Sequence, residues 1–170
     1  MNVSAAISSG AAQIATAPDR AANARRDAEL LLRFVLECRR EELLANPLRE
    51  ITAQQSERFN QLVAERVSGR PIQYIVGTQQ FWGLEFSVNP DVLIPRPETE
   101  HLVESALDLV WTNRAFRVVD VGTGSGAIAI AIARERPMAE VLALDISAAA
   151  LEVARATAER HQLADRIPLR

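Results

Sequence analysis

The alternation of apolar and polar positions divides the chain into a helical front, a short alternating stretch and a strand-helix-strand-helix tail. From Asp19 to about Arg40, the positions Leu30, Leu31, Phe34, Val35 and Cys38 recur at the spacing of one helix face. Asn46-Pro47 breaks that pattern. Thr52-Ala53-Gln54-Gln55 has the form of a capping box. It opens a second helix carrying Phe59, Leu62, Val63 and Val67, which Ser68-Gly69-Arg70-Pro71 ends. Residues 1–17 are rich in Ala and Ser and lack the early basic region of a secretion signal, so they are expected to be poorly ordered. The pattern therefore predicts a disordered N-terminus over 1–17 and a small all-helical domain over 18–71.

Residues 72–94 change character. Gln73-Tyr74-Ile75-Val76 is a short strand-like run and Gly77-Thr78 a turn. Trp82, Leu84, Phe86 and Val88 then alternate with Gly83, Glu85 and Ser87, which predicts a strand with one apolar face. The segment reads as a β-hairpin linker. Pro95 and Pro97 bracket Arg96, and Glu98-Thr99-Glu100 opens a helix with acids in its first turn, where the dipole favours them. Leu102, Val103, Ala106, Leu107 and Val110 mark its expected buried face. Strand 116–121, helix 126–135, strand 140–145 and a helix from Ser147, its expected N-cap, to His161 follow. That rhythm predicts an α/β fold, the start of a doubly wound, Rossmann-like parallel sheet occupying residues 95–170.

The chemistry concentrates where the first sheet strand ends. Val118-Val119-Asp120-Val121 runs into Gly122-Thr123-Gly124-Ser125-Gly126 and then into the apolar helix from Ala127. Glycines let the backbone turn tightly and approach a ligand, and a helix start offers unpaired N–H groups. The dinucleotide fingerprint is G-x-G-x-x-G, whereas here the third glycine comes one position early. No Gly-Lys-Ser/Thr follows, which excludes a phosphate-binding P-loop. Asp120 at the strand end suits a cationic ligand group. A second apolar strand, Val141 to Leu144, ends in Asp145, a carboxylate that can accept both hydroxyls of a ribose. The pair resembles the cofactor site of class I S-adenosylmethionine-dependent methyltransferases. The competing reading is a tight strand-helix connection whose glycines serve packing only.

Composition narrows the function classes. The 170 residues are 48% apolar and 24% charged, as in a soluble globular protein. A formal net charge of −3 gives no basic footprint, so direct nucleic-acid binding has no electrostatic support. The single cysteine, Cys38, fits a reducing compartment and sits on the apolar face of its helix, as a small buried hydrophobe would. His101 and His161 lie far apart among helix-forming residues, without metal-ligand spacing, and read as helix-surface residues. No apolar run approaches the roughly 18 residues that a membrane span needs.

Longer strings carry a family resemblance. Glu65 to Gly77, Phe81-Trp82-Gly83-Leu84-Glu85-Phe86 and above all Val92-Leu93-Ile94-Pro95-Arg96-Pro97-Glu98-Thr99-Glu100 are similar to the bacterial release-factor glutamine N5-methyltransferases. Arg26-Asp27-Ala28-Glu29-Leu30-Leu31-Leu32 is similar to that family's helical domain. The resemblance implies transfer of a methyl group from S-adenosylmethionine to the side-chain amide nitrogen of the glutamine in the Gly-Gly-Gln loop of peptide-chain release factors. By the same resemblance Asp120 and Gly122, Thr123, Gly124, Ser125 and Gly126 would wrap the methionine part of the cofactor and Asp145 its ribose. Arg96, Pro97, Glu98 and Thr99 would border the site near the methyl donor. The helical domain and hairpin would dock the release factor, in a cytoplasmic enzyme that is monomeric when full length.

One family element is missing. An Asn-Pro-Pro-Tyr tetrapeptide there accepts the amide hydrogens of the target glutamine, fixing a poorly nucleophilic nitrogen in line with the methyl group by positioning and local electrostatics. The Asn-Pro pairs of this chain are Asn46-Pro47 and Asn89-Pro90, neither followed by proline and tyrosine, so no catalytic residue is assigned. The expectation is the front part of a longer enzyme, inactive by itself and weak in cofactor binding. The other readings are a non-catalytic protein-binding module and a methyltransferase of another amide or of a nucleic-acid base.

Overall fold

The chain begins in a helix rather than in disorder. In the computed structural model, which describes residues 1–109 and 115–170, α1 (Val3–Ile14) occupies most of the stretch expected to be unordered. Val3, Ala6, Ile7, Gly10 and Ile14 are buried at helical spacing, and Ala is the best helix former, so the Ala/Ser richness marks a helix with one thin apolar stripe. The Asn2 side chain caps it, accepting the Ala5 N–H at 2.9 Å. Gly10 lies so close to Phe59 that a Cβ there would stand 2.6 Å from the ring.

The helix expected from Asp19 to Arg40 is divided. A 3-10 turn (Ala21–Asn23) leads into α2 (Ala24–Leu36), which stops where Glu37 takes a left-handed φ of 49°, and α3 (Arg40–Ala45) follows. The buried positions of α2 are Ala24, Asp27, Ala28, Glu29, Leu31, Leu32 and Leu36. Phe34 is 43% exposed, and Leu30, Val35 and Cys38 are only half-buried. The buried face is turned from the expected one because α2 packs against both α1 and α4 (Ala53–Val67). The start of α4 matches the sequence pattern. Thr52 Oγ1 accepts the Gln55 N–H at 3.1 Å, and Gln55 Oε1 accepts the Thr52 N–H at 2.9 Å. Arg66 on α4 reaches Asp27 on α2 at 2.7 Å.

The strand-like run after Pro71 is α5 (Ile72–Val76). Its buried residues, Ile72 and Ile75, are three apart, and the Tyr74 and Ile75 N–H groups donate to the Pro71 carbonyl. The chain separates into a unit of residues Met1–Val76 and a unit of residues Gly77–Arg170, so the boundary follows this helix instead of preceding it.

In the second unit the hairpin is shorter than 72–94. It comprises β1 (Thr78–Phe81) and β2 (Leu84–Ser87), antiparallel, joined through Trp82 and Gly83, not turned at Gly77-Thr78. Both linking residues have positive φ, 52° and 66°, the twist that tight hairpins need. Next come α6 (Glu98–Leu109), β3 (Phe116–Val121), α7 (Ala127–Glu135), β4 (Ala139–Leu144) and α8 (Ala148–Arg160). On α6, Val103 and Leu107 are buried but Leu102 is 56% exposed, and Val110 lies outside the described residues. β3 and β4 pair in parallel, with Asp120 opposite Ala143. Residues 168–170 add to the other side of β4: the Ala143 N–H donates to the Pro168 carbonyl, and the Arg170 N–H donates to the Ala143 carbonyl. This is part of a Rossmann-like α/β fold with a small sheet.

One sheet face is covered. Ala139, Val141 and Ala143 join the core formed with α7, the hairpin and the buried side of α6. The opposite face carries Val119, 55% exposed, and Val121, 78% exposed. α8 is stitched to β2: the Ser87 N–H donates to Thr157 Oγ1 at 3.0 Å, and Arg160 pairs with Glu85. His161 is not a plain surface residue, because its Nε2 meets the Glu85 carbonyl at 2.8 Å and its ring is half-buried beside Phe86.

Candidate cofactor site at the glycine bend

The bend after β3 is fixed to the tip of β4. The Gly122 and Thr123 N–H groups both donate to the Leu144 carbonyl, at 2.8 and 2.9 Å. Gly122, Gly124 and Gly126 all have positive φ, 76°, 55° and 81°. They are not equivalent. A Cβ on Gly126 would stand 2.8 Å from Ile130 Cδ1 and 3.2 Å from Ala154 Cβ, so this glycine lets α7 and α8 approach each other. A Cβ on Gly122 or Gly124 would meet nothing within 4 Å. The packing reading of the glycines thus accounts for the third of them and leaves open space over the first two.

Both strand-tip carboxylates bond to the bend. Asp120 is 9% exposed, and its Oδ2 accepts the Thr123 hydroxyl at 2.7 Å and the Ala129 N–H at 3.2 Å. Its Oδ1 has no partner among the described residues and is not sealed from solvent. Asp145 is half-buried; its Oδ1 accepts the Ser147 N–H and its Oδ2 the Gly124 N–H, both at 2.9 Å. These two backbone donors, Ser147 first, hold the Asp145 carboxyl below the usual carboxylate range. Each oxygen keeps a lone pair for a ligand hydroxyl. Thr123 and Ser125 are buried, 6% and 2% exposed. Among the described residues, the N–H groups of Ser125, Ala127 and Ile128 have no partner, and they sit at the positive end of α7. The bend can therefore accept hydroxyl hydrogens at Asp145, receive a cation at Asp120 and donate to an anionic group at the start of α7.

The Pro95 to Thr99 segment is a separate feature. Pro95 is buried, Arg96, Pro97 and Glu98 are exposed, and Thr99 is half-buried. The Thr99 N–H donates to the Arg96 carbonyl and the Glu100 N–H to the Pro97 carbonyl, each at 3.0 Å, forming the turn that enters α6. No hydrogen bond among the described residues joins this turn to the glycine bend, although α6 packs on α7.

The sequence pattern missed the arginines that seal the far end of α7. Arg166 donates to the carbonyls of Ala133, Arg136 and Pro137, and Arg136 donates to that of Leu107 on α6. Their partners lie 29 to 33 residues away, beyond any local motif. An open groove of about 490 Å³ between residues 87–91 and α8 was likewise unforeseen. Among the described residues no cluster of three or more His, Cys, Asp or Glu could hold a metal ion, and no helix is long and apolar enough to cross a membrane.

Comparison with known proteins adds independent information. Residues 5–77 match the family described as PrmC N-terminal domain, and residues 112–167 match one described as methyltransferase domain. A "Release factor glutamine methyltransferase" from Koribacter versatilis is 47% identical over 136 residues, 80% of this chain and 49% of the relative. Proteins of the same name from Nitratidesulfovibrio vulgaris and Coxiella burnetii are 46% and 42% identical, over 84% and 82% of this chain and 48% and 50% of theirs. The chain spans about half the length of the curated relatives it matches.

Proposed function

Since the chain belongs to the release factor glutamine methyltransferase family, we propose that its glycine bend is the S-adenosylmethionine site of a protein-glutamine methyltransferase acting on release factors. The observation that supports this most directly is the bend itself, open at Gly122 and Gly124 and bonded by both strand-tip carboxylates. The residues fit the cofactor group by group. Asp145, ionised and half-open, suits the two ribose hydroxyls. Asp120 Oδ1 suits the ammonium of the methionine part. The unpaired N–H groups at the start of α7 suit its carboxylate. When bound, the cofactor supplies an electrophilic methyl group on a sulfonium.

The acceptor in this reading is the side-chain amide nitrogen of the glutamine in the Gly-Gly-Gln loop of a release factor, and the Met1–Val76 unit contributes to docking that protein. The residues of this chain hold the donor. The Asn-Pro-Pro-Tyr element that the family resemblance assigns to the acceptor amide is not among these 170 residues.

Isothermal titration of S-adenosylmethionine tests the site. Asp145→Ala should weaken binding by about 1–3 kcal/mol, the cost of leaving ligand hydroxyls without their acceptor. Because the carboxyl is held below the usual range, binding should persist into mild acid and fail only once Asp145 is protonated. Equal affinity of the Asp145→Ala chain, or preferential binding of a nicotinamide dinucleotide, would defeat the assignment.

A further inference from the structure

Glu100 ends the Pro-Arg-Pro-Glu-Thr-Glu string, and the cofactor reading leaves it without a role. Its carboxylate turns back from the first turn of α6, and Oε1 accepts the backbone N–H of Trp82 at 2.7 Å. Trp82 is an unusual donor. It is a bulky residue with a φ of 52°, a conformation that glycine and asparagine tolerate and large side chains resist. Its indole N–H donates to Glu135 Oε1 at the end of α7, at 3.1 Å. The tip of the hairpin is thus joined to α6 through its main chain and to α7 through its side chain.

We infer that Glu100 is a positioning residue: by accepting the Trp82 N–H it fixes against the hairpin the turn Arg96–Thr99, which the family resemblance sets at the border of the methyl-donor site. The inference rests on that cofactor reading for its functional meaning but not for its structural content. The Glu100 carboxylate and the Arg96–Thr99 turn belong to the same helix start, where the Thr99 and Glu100 amides bond back to Arg96 and Pro97. The alternative role for an acid here is purely to complement the helix dipole, as Glu98 does. The two roles separate chemically. Gln keeps an acceptor oxygen and loses the charge; Ala loses both.

The test compares Glu100→Ala and Glu100→Gln, with Trp82→Asn as a third variant. Asn tolerates the positive φ, keeps the main-chain donor and removes the indole. Amide hydrogen exchange needs no cofactor and reports the turn directly. Glu100→Ala should speed exchange of the Thr99 amide and its neighbour at 100 by about tenfold while leaving the β3–β4 amides unchanged. Glu100→Gln and Trp82→Asn should stay near the unaltered chain at those two amides. Titration of S-adenosylmethionine should follow the same order. Equal loosening in Ala and Gln would show a dipole role, and loosening spread over β3 and β4 would show a merely structural one; either result overturns the inference. If the unaltered chain binds no cofactor, the cofactor reading falls, and the exchange data still decide what Glu100 does.

Discussion

The helical unit and the sheet unit use similar apolar sequence to different effect. In the unit of residues 1–76, each long helix has one apolar stripe, and α1, α2 and α4 bury their stripes on one another through Ile7, Leu31, Phe59 and Val63. In the unit of residues 77–170, the β3–β4 pair has two faces. Val141 and Ala143 are covered by α7, while Val119 and Val121 on the opposite face are 55% and 78% exposed. A helix needs cover on one side only, whereas a parallel sheet needs it on both. Leu142 and Leu144, which pair with Val119 and Val121 on that face, are half-buried. The helical core is closed on itself, whereas Val119 and Val121 stay exposed in the 170 residues, although β3, α7 and β4 each obey their own pattern.

The largest expected effect lies in the helical core. Phe59 is fully buried, and its ring fills the space that Gly10 leaves on α1. Phe59→Ala should cost about 3–5 kcal/mol, since a cavity beside a glycine has no side chain to collapse into it. Urea denaturation followed by helical ellipticity would read this. A loss under about 1 kcal/mol would show that this core is loosely packed and would break the contrast between the units.

The glycines of the bend offer a sharper test inside the sheet unit. Gly126→Ala must both adopt a φ of 81° and push Ile130 and Ala154 aside, so it should cost about 2–4 kcal/mol. Gly122→Ala meets open space and should cost only the backbone term, about 1–2 kcal/mol. Thermal unfolding of the two variants measures the difference. If they were equally destabilised, Gly122 would not face an open cradle.

These contrasts also show what the sequence could reveal. The capping box at Thr52, the N-cap at Ser147 and the strand-bend-helix order around Gly122 were legible because each depends on residues within a few positions of one another. The buried face of α2 was not, because α1 and α4 select it and the presence of α1 was itself hidden. Its stripe is made of Val3, Ala6, Ile7 and Gly10, too weakly apolar to stand out beside serines. The run at residues 73–76 misled for a related reason. Over so few residues apolar content cannot separate strand from helix, and only the buried spacing of Ile72 and Ile75 does. At the site, both carboxylates were visible as strand-terminal acids. That Asp120 spends one oxygen on Thr123 and Ala129, and that Gly126 serves packing while Gly122 and Gly124 do not, required coordinates.

The smallest expected effect tests the comparison most directly, because it changes one residue type on two faces of one sheet. Val141 is 2% exposed under α7, whereas Val119, on the strand beside it, is 55% exposed. Val→Thr keeps the shape and β-propensity and exchanges a methyl for a hydroxyl. At Val141 that hydroxyl is buried without a designed partner and should cost about 1–3 kcal/mol. At Val119 it meets water, and stability should move by no more than about 0.5 kcal/mol. The solution behaviour should move the other way. If exposed Val119 and Val121 promote association, Val119→Thr should lower it in sedimentation velocity while Val141→Thr, if folded, should not. Were Val119→Thr as costly as Val141→Thr, the second face would be covered in solution by something that removes Val119 from water. The half-covered sheet would then have to be given up.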